Sequence, residues 1–127
     1  MSTKAKIAII EDDMAIVQMY RMKFETEGYD VKTAADGLAG LELIESFEPD
    51  AVLLDLMMPN MNGMEMLSKL RSGAGGRDLK VIVLTNMGDT ETATKVYKMA
   101  ADDYIVKAEM TPLQVTERVR ALLAKKS

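Results

Sequence analysis

A cluster of acidic side chains, one threonine and one lysine are the residues of this chain whose types and placement could do chemistry. Glu11, Asp12 and Asp13 stand together, Asp55 follows the apolar run AVLL, Thr85 closes VIVLT, and Lys107 closes ADDYIVK. The 127 residues include no Cys and no His. Disulfides, thiolate metal sites and thiol nucleophiles are therefore excluded, as are the commonest general base and the commonest transition-metal ligand. What remains is carboxylate, hydroxyl and ammonium chemistry around a hard cation. Two carboxylates about 5 Å apart repel by roughly 3 kcal/mol at an effective dielectric of about 20. Such a cluster either takes up a proton or binds a cation. An all-oxygen site of carboxylates, a backbone carbonyl and water suits Mg²⁺, with Mn²⁺ as the alternative. A lysine and a hydroxyl on neighbouring strands are then placed to hold phosphate oxygens.

The elements that must position these groups alternate between two periodicities. Lys6–Ile10 reads as a buried strand and Asp13–Glu27 as a helix, with Ile16, Met19, Tyr20, Lys23 and Phe24 at helical spacing and Gly28 as its stop. Tyr29–Thr33 is a strand, Asp36-Gly37 a turn, and Leu38, Leu41, Ile44 and Phe47 mark an amphipathic helix ended by Pro49-Asp50. Ala51–Asp55 is a strand and Pro59–Gly63 a loop, with Asn62 able to cap a helix from Gly63 to Arg71. After the loop Ser72–Asp78 come a strand at Val81–Thr85, a helix at Asp89–Met99 and a short strand at Tyr104–Val106. Thr111-Pro112-Leu113-Gln114 forms a capping box opening a last helix to about Ala124. Five strand–helix units imply a three-layer, doubly wound α/β fold: a parallel sheet covered on both faces. Ligands of such sheets sit beyond the carboxyl ends of the strands, where Glu11, Asp12, Asp55, Thr85 and Lys107 all fall. Taken singly, each has an ordinary reading: Asp13 as a helix cap, Asp55 as a turn residue, Thr85 as a strand-end hydroxyl, Lys107 as a surface lysine. Their joint arrival at successive strand ends is what favours a site.

Composition narrows the function further. The length predicts one domain spanning residues 1–127. The net charge of −4 argues against direct nucleic-acid binding. No apolar run is long enough to span a membrane, and no signal peptide is recognisable, so a cytoplasmic protein is expected. Most of the twelve methionines are expected to be core filler, with Met14, Met57, Met58 and Met87 as candidates for a pocket rim or docking surface. Gly73–Gly76 lacks the GK[ST] of a phosphate-binding loop. Arg118, Arg120, Lys125 and Lys126 read as the solvated face and end of the last helix.

Five segments carry a resemblance: IAIIEDD at 7–13, TAADG at 33–37, LLDLMMPNMNG at 53–63, VIVLT at 81–85 and ADDYIVK at 101–107. In this order and spacing the chain resembles the receiver domains of two-component response regulators, over nearly its whole length. The resemblance implies a five-stranded sheet of order 2-1-3-4-5. It implies that Asp55 accepts a phosphoryl group with Mg²⁺ bound by Asp12, Asp55, the Met57 carbonyl and, through water, Glu11. Lys107 would pair with the acceptor or its phosphoryl group, Thr85 would bring its hydroxyl to that group, and Tyr104 would be an aromatic switch. The donor would be a sensor histidine kinase or histidine phosphotransfer protein, because this chain has no His of its own. A downstream effector protein would read the changed surface of the fourth helix, fifth strand and fifth helix, and phosphorylation would allow dimerisation. The chain would label itself from a phosphodonor and lose the group slowly, without being a multiple-turnover enzyme.

The sequence departs from the family in places. Ala108 follows Lys107 where the family often has a cis proline; a cis bond to a residue other than Pro costs about 3 kcal/mol, so a trans bond is expected. Asn86 stands where a small residue is usual. Met57 and Met87 border the expected path of the hydrolytic water and predict slow loss of the phosphoryl group. Three rival readings follow from the same residues. A metal-dependent phosphatase with an Asp nucleophile wants a second acid two residues on, where Met57 stands. A flavin-binding module would need a phosphate-binding loop where Glu11-Asp12-Asp13 would repel phosphate. A phosphorylation-independent docking module would have no need of the full acid, Thr and Lys set.

Overall fold

Pro, Gly and Asx signals divide the chain into short strands and helices, and the computed structural model describes residues 4–56, 63–72, 79–86, 90–98 and 100–124. The elements run β1 (Lys6–Ile10), α1 (Met14–Thr26), β2 (Asp30–Ala34), α2 (Gly37–Phe47), β3 (Ala51–Asp55), α3 (Gly63–Ser72), β4 (Lys80–Thr85), α4 (Thr90–Lys98), β5 (Asp103–Val106), a 3₁₀ turn (Lys107–Glu109) and α5 (Pro112–Ala124). The strands are parallel in the order β2-β1-β3-β4-β5.

The strands are buried on both sides, which is why their sequences run apolar without a break. One set of strand residues, including Ala8, Ile10, Val52, Leu54 and Val83, packs under α2, α3 and α4 through Phe47, Met66, Leu67, Leu70 and Val96. The alternate set, including Ile7, Ile9, Leu53, Ile82 and Ile105, packs under α1 and α5 through Tyr20, Phe24, Val115 and Val119. Each face buries well over six large side chains, each contributing about 2 kcal/mol of transfer free energy.

Local chemistry sets the helix ends. Asp13 Oδ1 accepts the Ala15 and Ile16 N–H groups at 3.0 and 3.3 Å, so it caps α1 rather than joining the acidic cluster. Gly28, at φ 94, carries the chain out of α1. Asp36 caps α2 by accepting the Ala39 N–H at 2.8 Å. The reciprocal capping box at α5 is present: Thr111 N–H donates to Gln114 Oε1 at 2.8 Å and Gln114 N–H to Thr111 Oγ1 at 3.2 Å. No cis peptide bond occurs among the described residues, so the Lys107–Ala108 bond is trans, as expected.

Helix α2 stops before Pro49 as expected, with its cap Glu48 at a left-handed φ of 52°. Other expectations are corrected. The 3₁₀ turn after β5 carries no strong sequence signal. Of the six described methionines, Met66 is fully buried and Met64 and Met110 pack partly buried against the two clusters, while Met14, Met19 and Met22 are 59%, 43% and 66% exposed on α1. The buried stripe of α1 is Val17, Tyr20 and Phe24, so helical spacing counted Met19 on the wrong side. Leu38 of α2 is exposed as well. Asn62, Asp89, the Gly73–Gly76 segment, Met57, Met58, Met87, Lys125 and Lys126 lie outside the described residues.

Candidate functional site

Parallel registry brings the strand ends level. Ile10 pairs with Leu54, Asp55 with Leu84, and Thr85 with Val106. The residues just past those partners, Glu11 after Ile10 and Lys107 after Val106, therefore meet Asp55 and Thr85 at one edge of the sheet. Glu11 is held there by its own N–H, which donates to Ala34 O at 3.0 Å, and by Oε1, which accepts the Asp13 N–H at 3.2 Å. Asp55 is fixed by its place in the central strand and by the chain after it. Leu56 N–H donates to Leu84 O at 3.2 Å, and Gly63 N–H to Leu56 O at 3.0 Å.

Carboxylate oxygens of Glu11, Asp12 and Asp55 lie within 4.8 Å of one another. Glu11 and Asp55 are buried and Asp12 is exposed at the mouth. Lys107 Nζ is 2.6 Å from Glu11 Oε2 and 3.4 Å from Asp55 Oδ1. The lysine therefore sits between the two buried acids, closer to Glu11 than to Asp55. Burial pushes the Glu11 carboxyl up to about 7, against the hydrogen bond from Lys107, and the nearby Asp55 adds to the rise. Burial works against the Lys107 ammonium, but the Glu11 hydrogen bond and the charge of Asp55 outweigh it and hold its pKa up. Burial also raises the Tyr20 phenol, which feels both Lys107 and Glu11 from α1. One ammonium among three carboxylates leaves a net negative pocket. An all-oxygen donor set of this kind fits a small hard dication.

Thr85 is fully buried at the end of β4. Tyr104 on β5 is half-buried, and its ring lies against Tyr97 of α4 with centroids 6.4 Å apart and planes tilted by 53°. The structure thus brings Glu11, Asp12, Asp55 and Lys107 together, with Thr85 at the adjacent strand end and Tyr104 on the neighbouring edge strand. Met57 is outside the described residues. Sequence reasoning missed Asp103 and Arg118, joined by a two-pronged ion pair with Nε–Oδ2 at 2.9 Å and Nη2–Oδ1 at 2.6 Å. Arg118 had been counted as solvated helix face; nothing in its spacing marks the strand it reaches. Arg71 was missed too. It donates from Nη1 to Leu79 O at 2.6 Å, from Nε to Ala100 O at 3.0 Å, and from Nη2 to Asp102 Oδ2 at 2.9 Å, fastening the end of α3 to the segments before β4 and β5.

The profile of the response regulator receiver domain matches residues 7–120. The DNA-binding dual master transcriptional regulator RpaA of Synechocystis is 38% identical over 121 residues, covering 93% of this chain and 48% of that protein. Response regulator MprA of Mycobacterium is 38% identical over 125 residues, 96% of this chain and 52% of that protein. The chain thus spans about half the length of these curated relatives. Among solved structures, a CheY-like receiver domain protein from Methanospirillum hungatei superposes with a TM-score of 0.86 at 31% identity, covering 95% of this chain and 94% of that one. CheY in the CheX–CheY–BeF₃–Mg²⁺ complex of Borrelia burgdorferi is similar too, with a TM-score of 0.87 at 26% identity over 95% and 90% of the two chains. With the predicted strand order in place and the profile matched from β1 into α5, this chain belongs to the response regulator receiver family.

Proposed function

We propose that this receiver domain, the single domain of residues 1–127, takes a phosphoryl group onto Asp55 from a phosphohistidine on another protein. The observation that carries the reading is the packing of Asp55 within 4.8 Å of the Glu11 and Asp12 carboxylates, with Lys107 3.4 Å away. A carboxylate attacks an anionic phosphoryl group poorly unless charge is neutralised and the groups are aligned. The new O–P bond forms on an Asp55 carboxylate oxygen as the N–P bond to the donor imidazole breaks, and the imidazole stays with the donor. Asp12, Asp55 and the Met57 carbonyl would hold Mg²⁺, with Mn²⁺ as substitute, and Glu11 would act through water. Bound there, the cation supplies charge neutralisation at the phosphoryl oxygens. Lys107 leaves Glu11 for the phosphoryl group, and the Thr85 hydroxyl donates to it. Thr85 lies beside Val106 in register, so its movement opens room that the Tyr104 ring takes. That couples Asp55 to the face formed by α4, β5 and α5.

The donor is a sensor histidine kinase or a histidine phosphotransfer protein. The outward face of α1, where Met14, Met19 and Met22 are exposed, gives its helices an apolar contact. An effector protein, or a second copy of the domain, reads the α4–β5–α5 face. The domain itself does not hold nucleic acid. No described helix is long and apolar enough to cross a membrane. The proposed place of action is the cytoplasm. Slow phosphoryl loss is part of the same proposal, resting on the apolar residue types of Met57 and Met87 in the sequence, and the chain does not turn over repeatedly. The test is Mg²⁺-dependent labelling by a small phosphodonor, or binding of beryllofluoride. Wild type takes up the group and Asp55→Asn does not. Equal labelling of the two proteins refutes the proposal.

A further inference from the structure

β5 is an edge strand, and its open side carries a feature that the phosphoacceptor reading does not use. The Tyr104 N–H is taken by the carboxylate of its neighbour, Asp103 Oδ1, at 2.8 Å. That same carboxylate is clamped by Arg118 of α5, with Nε at 2.9 Å from Oδ2 and Nη2 at 2.6 Å from Oδ1. Both carboxylate oxygens are thereby committed, in the two-pronged geometry that is among the stronger charge-assisted arrangements. The Asp103 side chain is only 14% exposed, so the pairing is sheltered on the strand side. The Tyr104 ring leans on Tyr97 of α4, whose phenol also feels Asp103, Arg118 and the Tyr104 backbone. Tyr104 is thus tied at its backbone to α5 and at its ring to α4.

We propose that Asp103 and Arg118 are positioning residues that hold Tyr104 in its resting placement, so that the ion pair sets how readily the phosphoryl-bound state is reached. The inference rests on the reading of Tyr104 as the switch. An inward turn of the Tyr104 ring pulls on the peptide whose N–H Asp103 holds, and Arg118 keeps Asp103 from following. Loss of the clamp costs the resting state a contact that the switched state does not keep. The equilibrium then moves toward the switched state, and a ligand selective for that state binds more tightly. An ion pair that merely covers the sheet edge would lower stability on removal without tightening the binding of anything at Asp55.

The experiment titrates beryllofluoride in saturating Mg²⁺ against the full chain, followed by amide resonance shifts. The proteins are wild type, Arg118→Ala, Arg118→Lys and Asp103→Asn, and then Arg118→Ala and Asp103→Asn again in a Tyr104→Ala background. Arg118→Ala and Asp103→Asn are expected to bind about fivefold more tightly than wild type, the low end of ordinary coupling between sites. Arg118→Lys, which keeps the charge but loses the fork, falls between. In the Tyr104→Ala background the gain vanishes, because the clamp has no switch to restrain. Asp103→Asn keeps an oxygen for the Tyr104 N–H and the side-chain volume, so it decides the matter should Arg118→Ala fail to fold. Unchanged or weaker affinity in the folded single variants overturns the inference, and so does a gain that survives Tyr104→Ala. A wild-type chain that binds no beryllofluoride overturns the phosphoacceptor reading itself, an outcome distinct from either.

Discussion

Gly63→Ala puts the placement of Asp55, the proposed acceptor, to the test without touching any charged group. A Cβ built on Gly63 lies 2.5 Å from Asp55 O, 2.7 Å from Leu56 Cα and 3.1 Å from Asp55 C, all backbone atoms of the acceptor strand and its exit. Ordinary contact begins at 3.4 Å, so the first of these is about 0.9 Å too close. No rotamer change can relieve it, because backbone has none to offer; either α3 withdraws or the Asp55–Leu56 peptide moves. Overpacking of this kind costs about 1–3 kcal/mol, only partly offset by the better helix propensity of Ala, at most about 1 kcal/mol. A net loss of about 1 kcal/mol, from the middle of that range, lowers the thermal midpoint of a domain this size by roughly 4 °C. A shift approaching 1 Å at the reacting group costs on the order of 10²-fold in rate. Thermal denaturation and the initial rate of Mg²⁺-dependent labelling by a small phosphodonor measure the two effects. Gly40→Ala is the control: its Cβ meets Ile10 Cγ2 at 2.8 Å and Met66 Cε at 3.0 Å, side-chain atoms rather than the backbone of β3. It should leave the labelling rate within about twofold, since its contacts can relax without reaching Asp55. If Gly63→Ala matches wild type in both midpoint and rate, the close approach of α3 does not position Asp55.

Ala100 sits at φ 66, where an L side chain costs about 1–2 kcal/mol. Ala100→Gly is therefore expected to stabilise by about 0.5 kcal/mol once the freer unfolded chain is counted; a lower urea midpoint would contradict this. Arg71→Ala strips the partner from the Leu79 and Ala100 carbonyls and from Asp102, whose Oδ2 also accepts the Val81 N–H at 2.8 Å. It should cost about 3 kcal/mol in chemical denaturation, and a loss under about 0.5 kcal/mol, the size of an ordinary surface change, would show the clamp to be idle. Mg²⁺ at about a hundred times its Kd should stabilise the wild-type chain by about 2.7 kcal/mol. Asp12→Ala should lose most of that thermal shift, and equal shifts in the two proteins would remove Asp12 from the cation site.

The elements were legible because each left a mark that acts locally. Unbroken runs such as VIVLT state that a strand is buried on both faces, and Thr111 with Gln114 states where a helix opens. The convergence of Glu11, Asp55 and Lys107 followed from those runs with one further rule, that parallel strands deliver their last residues to one edge. Where several faces compete for a side chain, local marks failed. Helical spacing admitted Met19 to the buried stripe because Met is apolar, yet Val17 and Tyr20 fill that side and leave Met19 43% exposed. Asp103, Arg118 and Arg71 were illegible for a different reason. Arg71 pairs with Asp102 across 31 residues, and Arg118 with Asp103 across 15. No periodicity encodes pairs of that kind, which appear only once the sheet has brought the chain back on itself. The order of Lys107's partners belongs to the same class. Sequence places the lysine beside both acids, but only the fold sets the distances: Nζ stands 2.6 Å from Glu11 Oε2 and 3.4 Å from Asp55 Oδ1. Under the proposed function the lysine rests nearer the acid that does not take the phosphoryl group, so its transfer is a step that Glu11→Gln is expected to ease and that labelling kinetics can read. Slower labelling in a Glu11→Gln variant whose Mg²⁺ thermal shift is preserved would show that Glu11 aids the transfer rather than holding the lysine back.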